Sequence, residues 1–219
     1  MILMVGSRAG RWRLLGAGVW LSAVLALGCS SAAGQTAPSQ DGAQALIRQS
    51  SEQLLHRLRT DRERLLNDAE ALREVVAQVL VPVLDFDVLS RLVLGRHFRK
   101  ATPTQRQRFA QEFRDMLLRS YTAPLLKYAD DIQIDYLPAV PSQRADRTMV
   151  RTRLSYRGSQ GIPIDYRLRF KDGQWLVYDV KIMGLSAVGL FRQTFNADIQ
   201  RLGIEKFLSR LAERSDRDF

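Results

Sequence analysis

The chain is short of the residues on which most catalytic and metal chemistry depends. It has one cysteine and two histidines in 219 residues. The lone Cys29 excludes an intramolecular disulfide and any metal site built from several thiolates, so an oxidising compartment is allowed but not exploited. His56 lies among charged residues on a helical stretch, and His97 follows a glycine turn. Two histidines so placed, one on an exposed charged helix and one after a turn, make no zinc site. G-x-S-x-G, Walker and G-x-G-x-x-G sequences are absent. Ser186, within Gly184-Leu185-Ser186, is no nucleophile elbow, and Asp85 and Asp87 read as caps of a short helix. These gaps point away from an enzyme, and an exported hydrolase lacks its nucleophile–base pair. Acids are also scarce: 23 Asp and Glu face 33 Lys and Arg, a formal charge of +10.

What is present begins with a targeting segment. Arg8, Arg11 and Arg13 form a basic start, residues 14–28 are apolar but too short and wrongly flanked for a membrane span, and small residues follow to Gly34. Two readings stay open. A signal peptide of residues 1–34 would release a free protein; a lipoprotein signal of residues 1–28 would leave a lipid-modified Cys29 as the first mature residue, although Ala26 stands where such a box usually has Leu. Either way the protein leaves the cytoplasm. Loss of the three arginines lowers the charge to +7 and leaves Trp175 as the only mature tryptophan. Export removes most of the case for a nucleic-acid partner, which a basic chain otherwise invites.

The remainder suits one domain over residues 43–213, after a polar tether at 35–42 and before a frayed tail at 214–219. From Ala43, the stripe Ile47, Leu54, Leu58 and Leu65 predicts a helix whose charged residues, Arg57 to Arg64, form a solvated face. Asn67 with Glu70 predicts the cap of a second helix that Pro82 breaks. Residues 85–94 predict a third, ending at Gly95. Thr102, Pro103 and Gln105 make a capping box for a long helix, with a kink or break expected at Pro124. After Asp131 the apolar period changes from near 3.6 to 2. Four strands follow, around Ile134, Leu154, Tyr166 and Tyr178, with Asp172-Gly173 as a tight hairpin and residues 158–161 as another turn. They form a meander, apolar on one face and arginine-rich on the other. Two helices close the chain, around Phe195 and Leu208. The order predicts an α+β fold: a four-stranded antiparallel sheet with helices packed on one face.

Three blocks carry a family resemblance. One runs from Val93-Leu94-Gly95 through the basic-aromatic Arg96-His97-Phe98-Arg99-Lys100 to Ala101-Thr102-Pro103-Thr104-Gln105. The second is Trp175-Leu176-Val177-Tyr178-Asp179-Val180 with Gly184-Leu185-Ser186. The third is Phe195-Asn196 leading to Gly203-Ile204. In order and spacing they resemble the MlaC, or toluene-tolerance, family over residues 44–211. His97 departs from the pattern, which often has Tyr there.

The resemblance implies a periplasmic phospholipid-binding shuttle that maintains outer-membrane lipid asymmetry. It would exchange lipid with an inner-membrane ABC transporter complex and an outer-membrane lipoprotein complex, as a monomer without ATP, cofactor or metal of its own. Such a carrier must enclose an apolar cleft between sheet and helices, because each methylene taken from water is worth roughly 0.8 kcal/mol. The candidate lining is Val83, Leu84, Phe86, Val93, Leu94, Phe98, Phe109, Phe113, Leu117, Tyr121, Leu125 and Tyr128 from the helices. From the sheet come Val150, Leu154, Ile164, Tyr166, Leu168, Phe170, Trp175, Tyr178 and Ile182, and from the last helices Leu190 and Phe195. Arg96, His97, Arg99 and Lys100 are candidate headgroup contacts. Side chains of these types also build ordinary cores, and periodicity cannot tell a wall from a core. Two rivals therefore stay open: an exported binder of another apolar ligand such as a hopanoid, and a non-catalytic structural interaction protein.

Overall fold

In the computed structural model, the structure describes residues 39–139, 142–157 and 160–213. The leader, Cys29, the first half of the tether, part of the 158–161 turn and the tail beyond residue 213 lie outside the described residues. Helix α1, Gln40–Thr60, starts inside the stretch read as tether: the Ser39 hydroxyl accepts from the Gly42 amide at 3.0 Å, and the Trp175 indole donates to the Ser39 carbonyl at 3.0 Å. A cap plus a tertiary anchor overrides local polarity here. Helix α2, Arg62–Asn67, is short. Helix α3, Ala69–Leu80, is capped by Asp68, whose carboxylate accepts from the Ala71 amide at 2.9 Å; Asn67 instead ends α2. A 3-10 turn over Val81–Val83 leads to α4, Phe86–Leu94, capped by Asp85. Gly95 ends α4 at φ +53, where a Cβ would meet the Arg192 side chain at 3.2 Å.

Helix α5, Pro103–Tyr128, has the predicted capping box and passes through Pro124 without a break. Pro124 and Ala123 are exposed, so the lost hydrogen bond falls on the solvent side, while Leu118, Leu125 and Leu126 pack on α3 from both sides of the proline. Arginines from the first helices hold its end. Arg59 donates to the Ala129 and Ile132 carbonyls at 2.9 and 3.1 Å, and Arg62 to the Leu126 carbonyl at 2.7 Å. Part of the face read as merely solvated thus caps a helix C-terminus.

The sheet is an antiparallel meander of five strands, one more than expected: β1 Ile132–Tyr136, β2 Arg147–Tyr156, β3 Ile162–Lys171, β4 Gln174–Ile182 and β5 Leu185–Ser186, in sequential order. The extra strand is two residues long, too short for a period of two to register. Asp172 and Gly173, at φ +50 and +83, make the predicted hairpin turn. Helices α6, Ala187–Leu202, and α7, Ile204–Glu213, follow.

Three apolar clusters result. One joins α1 to the sheet through Ala43, Ile47, Val150, Leu168, Trp175 and Val177. A second lies among α1, α2, α3 and α5. The third, among α4 to α7, is rich in phenylalanine: the Phe109 and Phe113 rings stack at 5.5 Å, with Phe195 edge-on to both at 6.1 and 5.8 Å. Buried acids tie the parts together. Asp85 caps α4 and pairs with Arg169 of β3. Asp179 of β4 accepts from the Ser186 hydroxyl and the Val188 amide at the start of α6, and lies 3.5 Å from Arg167.

Candidate functional site: an apolar cleft in three parts

Between the three clusters the packing is incomplete, and the gaps are apolar. The largest, about 680 Å³, lies under the β4–β5 hairpin. Met116 and Tyr121 of α5 line it, with Ile182, Met183 and Leu185 of the hairpin, Leu190, Phe191, Thr194 and Phe195 of α6, and Leu211 of α7. Its volume falls in the range of about 300–1,000 Å³ usual for small-molecule sites. A smaller, narrow gap of about 140 Å³ lies beside it, with Tyr121 facing both, between the end of α3, the start of α4 and α5; Phe86, Leu117 and Leu118 form its sides. A third part, about 290 Å³, lies between α1 and the sheet, lined by Ile47, Leu54, Val83, Ile134, Leu154, Tyr166, Val177 and Val180 among others. Leu80, Leu84 and Leu125 face both the narrow part and the third, so single side chains divide the cleft.

Polar groups near the cleft are turned into the protein. Ser50 donates to the Leu46 carbonyl at 2.7 Å, and Thr152 to the Ile164 carbonyl at 3.0 Å. Burial pushes the Tyr166 hydroxyl up to about 12; the neighbouring Tyr136 adds to this and a hydrogen bond with Thr152 opposes it. The first part has no charged side chain in its wall, and Arg114 is the only one in the narrow part. Such a cavity recognises apolar area, not charge. Among the described residues no cluster of three or more His, Cys, Asp or Glu is placed to hold a metal.

The candidate lining residues separate into groups. Tyr121, Ile182, Leu190 and Phe195 face the largest part; Leu84, Phe86, Leu117 and Leu125 the narrow one; Val83, Leu154 and Tyr166 the third. Others lie in filled cores instead of at the apolar cleft, although Leu94 also borders the depression beside Arg96. Val93, Leu94, Phe109 and Phe113 are 0–1% exposed in the helical core, and Val150, Leu168, Phe170 and Trp175 belong to the α1–sheet core. Phe98 packs beneath the Arg106 guanidinium, 4.3 Å from its ring, and Tyr128 sits edge-on to Tyr156 at 4.6 Å. Tyr178 sits beneath Arg147 and Arg167, and Ile164 is half-buried opposite Ile182. Arg96 and His97 both donate to Asn196 Oδ1, at 3.1 and 2.5 Å. Arg96 faces a separate polar depression with Arg192 on the other flank of α6, while Arg99 and Lys100 are exposed in the turn before α5. None of the four lines the apolar cleft.

The sequence reading passed over Met116, Met183, Leu185, Phe191 and Leu211 in the largest part, and Ile47, Leu54, Leu80, Val177 and Val180 elsewhere. One signal was available. Ile182-Met183-Gly184-Leu185 stays apolar through a turn, where chains are usually polar.

A family model described as MlaC protein matches residues 48–213. The chain is 31% identical over 162 residues to the toluene tolerance protein ttg2D of Pseudomonas putida, covering 72% of this chain and 73% of that protein. It is 22% identical over 185 residues to the intermembrane phospholipid transport system binding protein MlaC of Haemophilus influenzae, covering 82% and 85%. A phospholipid-binding protein from Ralstonia solanacearum, solved in complex with a phospholipid, superposes with a TM-score of 0.72 at 26% identity, over 79% of this chain and 96% of that one.

Proposed function

The chain belongs to the MlaC family, and from that premise we propose that it is a periplasmic carrier that takes up phospholipid tails in the three-part cleft and moves them between membranes. The observation that carries this reading is the cleft itself: a cavity of about 680 Å³ with no charge in its wall, with two further apolar gaps beside it. Tails that fill it leave water at roughly 0.8 kcal/mol per methylene. The headgroup stays at the open mouth, where no built polar site is needed. That a Ralstonia relative of similar fold was solved with a phospholipid supports the same ligand class.

The chain works without a cofactor or catalytic step, so direction comes from its partners. These are an inner-membrane ABC transporter complex that supplies the energy and an outer-membrane lipoprotein complex at the other end, and the carrier moves between them as a monomer to maintain outer-membrane lipid asymmetry. Free diffusion requires cleavage of the leader without a lasting lipid anchor at Cys29.

Organic extraction of the purified mature protein followed by lipid mass spectrometry tests the reading. Stoichiometric diacyl phospholipid is the expected result. A different apolar molecule, or an empty extract from well-folded protein, overturns it.

A further inference from the structure

The depression on the flank of α6 away from the cleft has a different chemistry. Gly95 and Arg96, past the end of α4, line it with Gly189, Arg192, Gln193 and Asn196 of α6, and its volume is about 420 Å³. Its wall holds two arginines and no acid. We propose that this depression receives an acidic side chain, Asp or Glu, of a protein partner. The proposal deepens the carrier reading, on which it rests for the existence of such a partner.

Both arginines are positioned in advance. Asn196 Oδ1 accepts from Arg96 Nε at 3.1 Å and from His97 Nε2 at 2.5 Å. Held through Nε, the Arg96 guanidinium keeps its two terminal amino groups for a carboxylate, which they meet as a fork. Gly95 positions Arg192: a Cβ there would stand 3.2 Å from Arg192 Cδ, so the missing side chain lets the arginine stem lie over the turn. Among the described residues neither guanidinium pairs with a carboxylate, and the Arg192 side chain has no hydrogen bond. Gly189 opens the space beside them. Glycine is a poor helix former, yet a Cβ at this position would meet only Ser186, at an ordinary 3.4 Å. Packing does not call for glycine there; the depression does.

The surroundings have one sign of charge. Residues 88–104 include Arg91, Arg96, Arg99 and Lys100 and no acid, and α6 has no acid before Asp198, which pairs with Arg201. Arg99 and Lys100 are exposed in the turn that follows Arg96. Such a field draws in an acidic surface and sets its register. Two features favour a protein carboxylate over a phosphate. The volume is several times what an inorganic oxyanion fills, and it admits a side chain together with its neighbours. A lipid headgroup would have to cross α6, because Leu190, Phe191, Thr194 and Phe195 face the cleft and the depression lies on the other flank.

NMR of the full mature chain tests the proposal, read on the Gly95 amide and the Arg96 and Arg192 Nε–H groups, with co-purified lipid measured in parallel. The probes are a blocked peptide of alternating glycine and glutamate, its glutamine counterpart, inorganic phosphate and phosphatidylglycerol vesicles. The glutamate peptide is expected to shift all three signals, and the glutamine peptide none. Arg96→Gln with Arg192→Gln should weaken peptide binding about tenfold, read on the Gly95 amide. Gly189→Gln fills the space without changing charge and should weaken it similarly. Both variants should keep the melting midpoint and the co-purified lipid. A glutamate peptide that shifts neither arginine, or that binds Gly189→Gln as tightly as wild type, overturns the site. Phosphate or vesicles that shift the arginines where the peptide does not assign the depression to a phosphate and overturn it likewise. Folded wild type that binds the peptide but carries no lipid overturns the carrier reading and leaves the site standing.

Discussion

At the scale of the residue, burial decides roles that residue type leaves open. Leu168 and Leu190 are both leucines on predicted apolar stripes, yet Leu168 is 0% and Leu190 53% exposed. Leu168→Asp places a charge in a filled core and should cost more than about 4 kcal/mol, seen as loss of the cooperative melt and not as selective emptying. Leu190→Asp should keep the melting midpoint within a few degrees while reducing co-purified lipid; equal lipid occupancy would remove Leu190 from the binding wall. Tyr166 gives a pH dependence. Its hydroxyl titrates near about 12 in the fold, against 10.0 ordinarily. Above pH 10 the unfolded chain therefore binds fewer protons than the folded one, and stability falls as pH rises towards 12. The effect is worth roughly 2–3 kcal/mol. Urea unfolding of wild type and Tyr166→Phe between pH 9 and 11.5 should show their difference shrinking as pH rises, and a flat difference would contradict this burial.

At the scale of the element, side chains distant in sequence decide where segments start and stop. Trp175 fixes the start of α1, Arg59 and Arg62 cap the end of α5, and Asp85 joins α4 to the sheet. Asp85 has three roles: its carboxylate caps α4, its amide bonds the Val177 carbonyl at 2.8 Å, and its second oxygen meets Arg169. Asp85→Ala removes a cap and strands a part-buried guanidinium, at about 2–4 kcal/mol. Chemical denaturation measures the loss, and a value below about 1 kcal/mol would show the Arg169 pair to be incidental. Leu84, Leu80 and Leu125 lie next to this junction, so loosening it should also widen the narrow part of the cleft. The boundaries most legible in the sequence were those set by local chemistry. The Thr102 box, the Asp172-Gly173 turn and the Gly95 stop are examples. The least legible were the start of α1, the unbroken path through Pro124 and the two-residue β5, each fixed by a partner far along the chain or too short to carry a period.

At the scale of the whole molecule, the fold leaves space that a globular domain usually fills. Close packing is the norm in protein interiors, and unfilled apolar parts between three cores weaken the empty state. A bound lipid should therefore stabilise by mass action: at a hundredfold excess over the dissociation constant the gain is roughly 2.7 kcal/mol, or about 5–10 °C for a domain of this size. Calorimetry of the protein before and after delipidation, then after reloading with phosphatidylglycerol, measures the shift. No change on reloading would mean that lipid does not occupy the cleft.

The sequence by itself determined the α+β order, the Thr102 and Asp85 caps, the Asp172-Gly173 turn and the family, because each is written in local chemistry or in the spacing of a few blocks. It also marked the apolar stripes from which any cleft must be built. Tertiary structure alone decided which stripe residues form filled cores and which face open space, since one helical period serves both. It drew Met183, Leu185 and Leu190 to one mouth and turned Arg96 and His97 away from it. Only the placement of α5, α6 and the last hairpin against one another leaves the gap unfilled, and that placement is set by contacts between segments far apart in the chain.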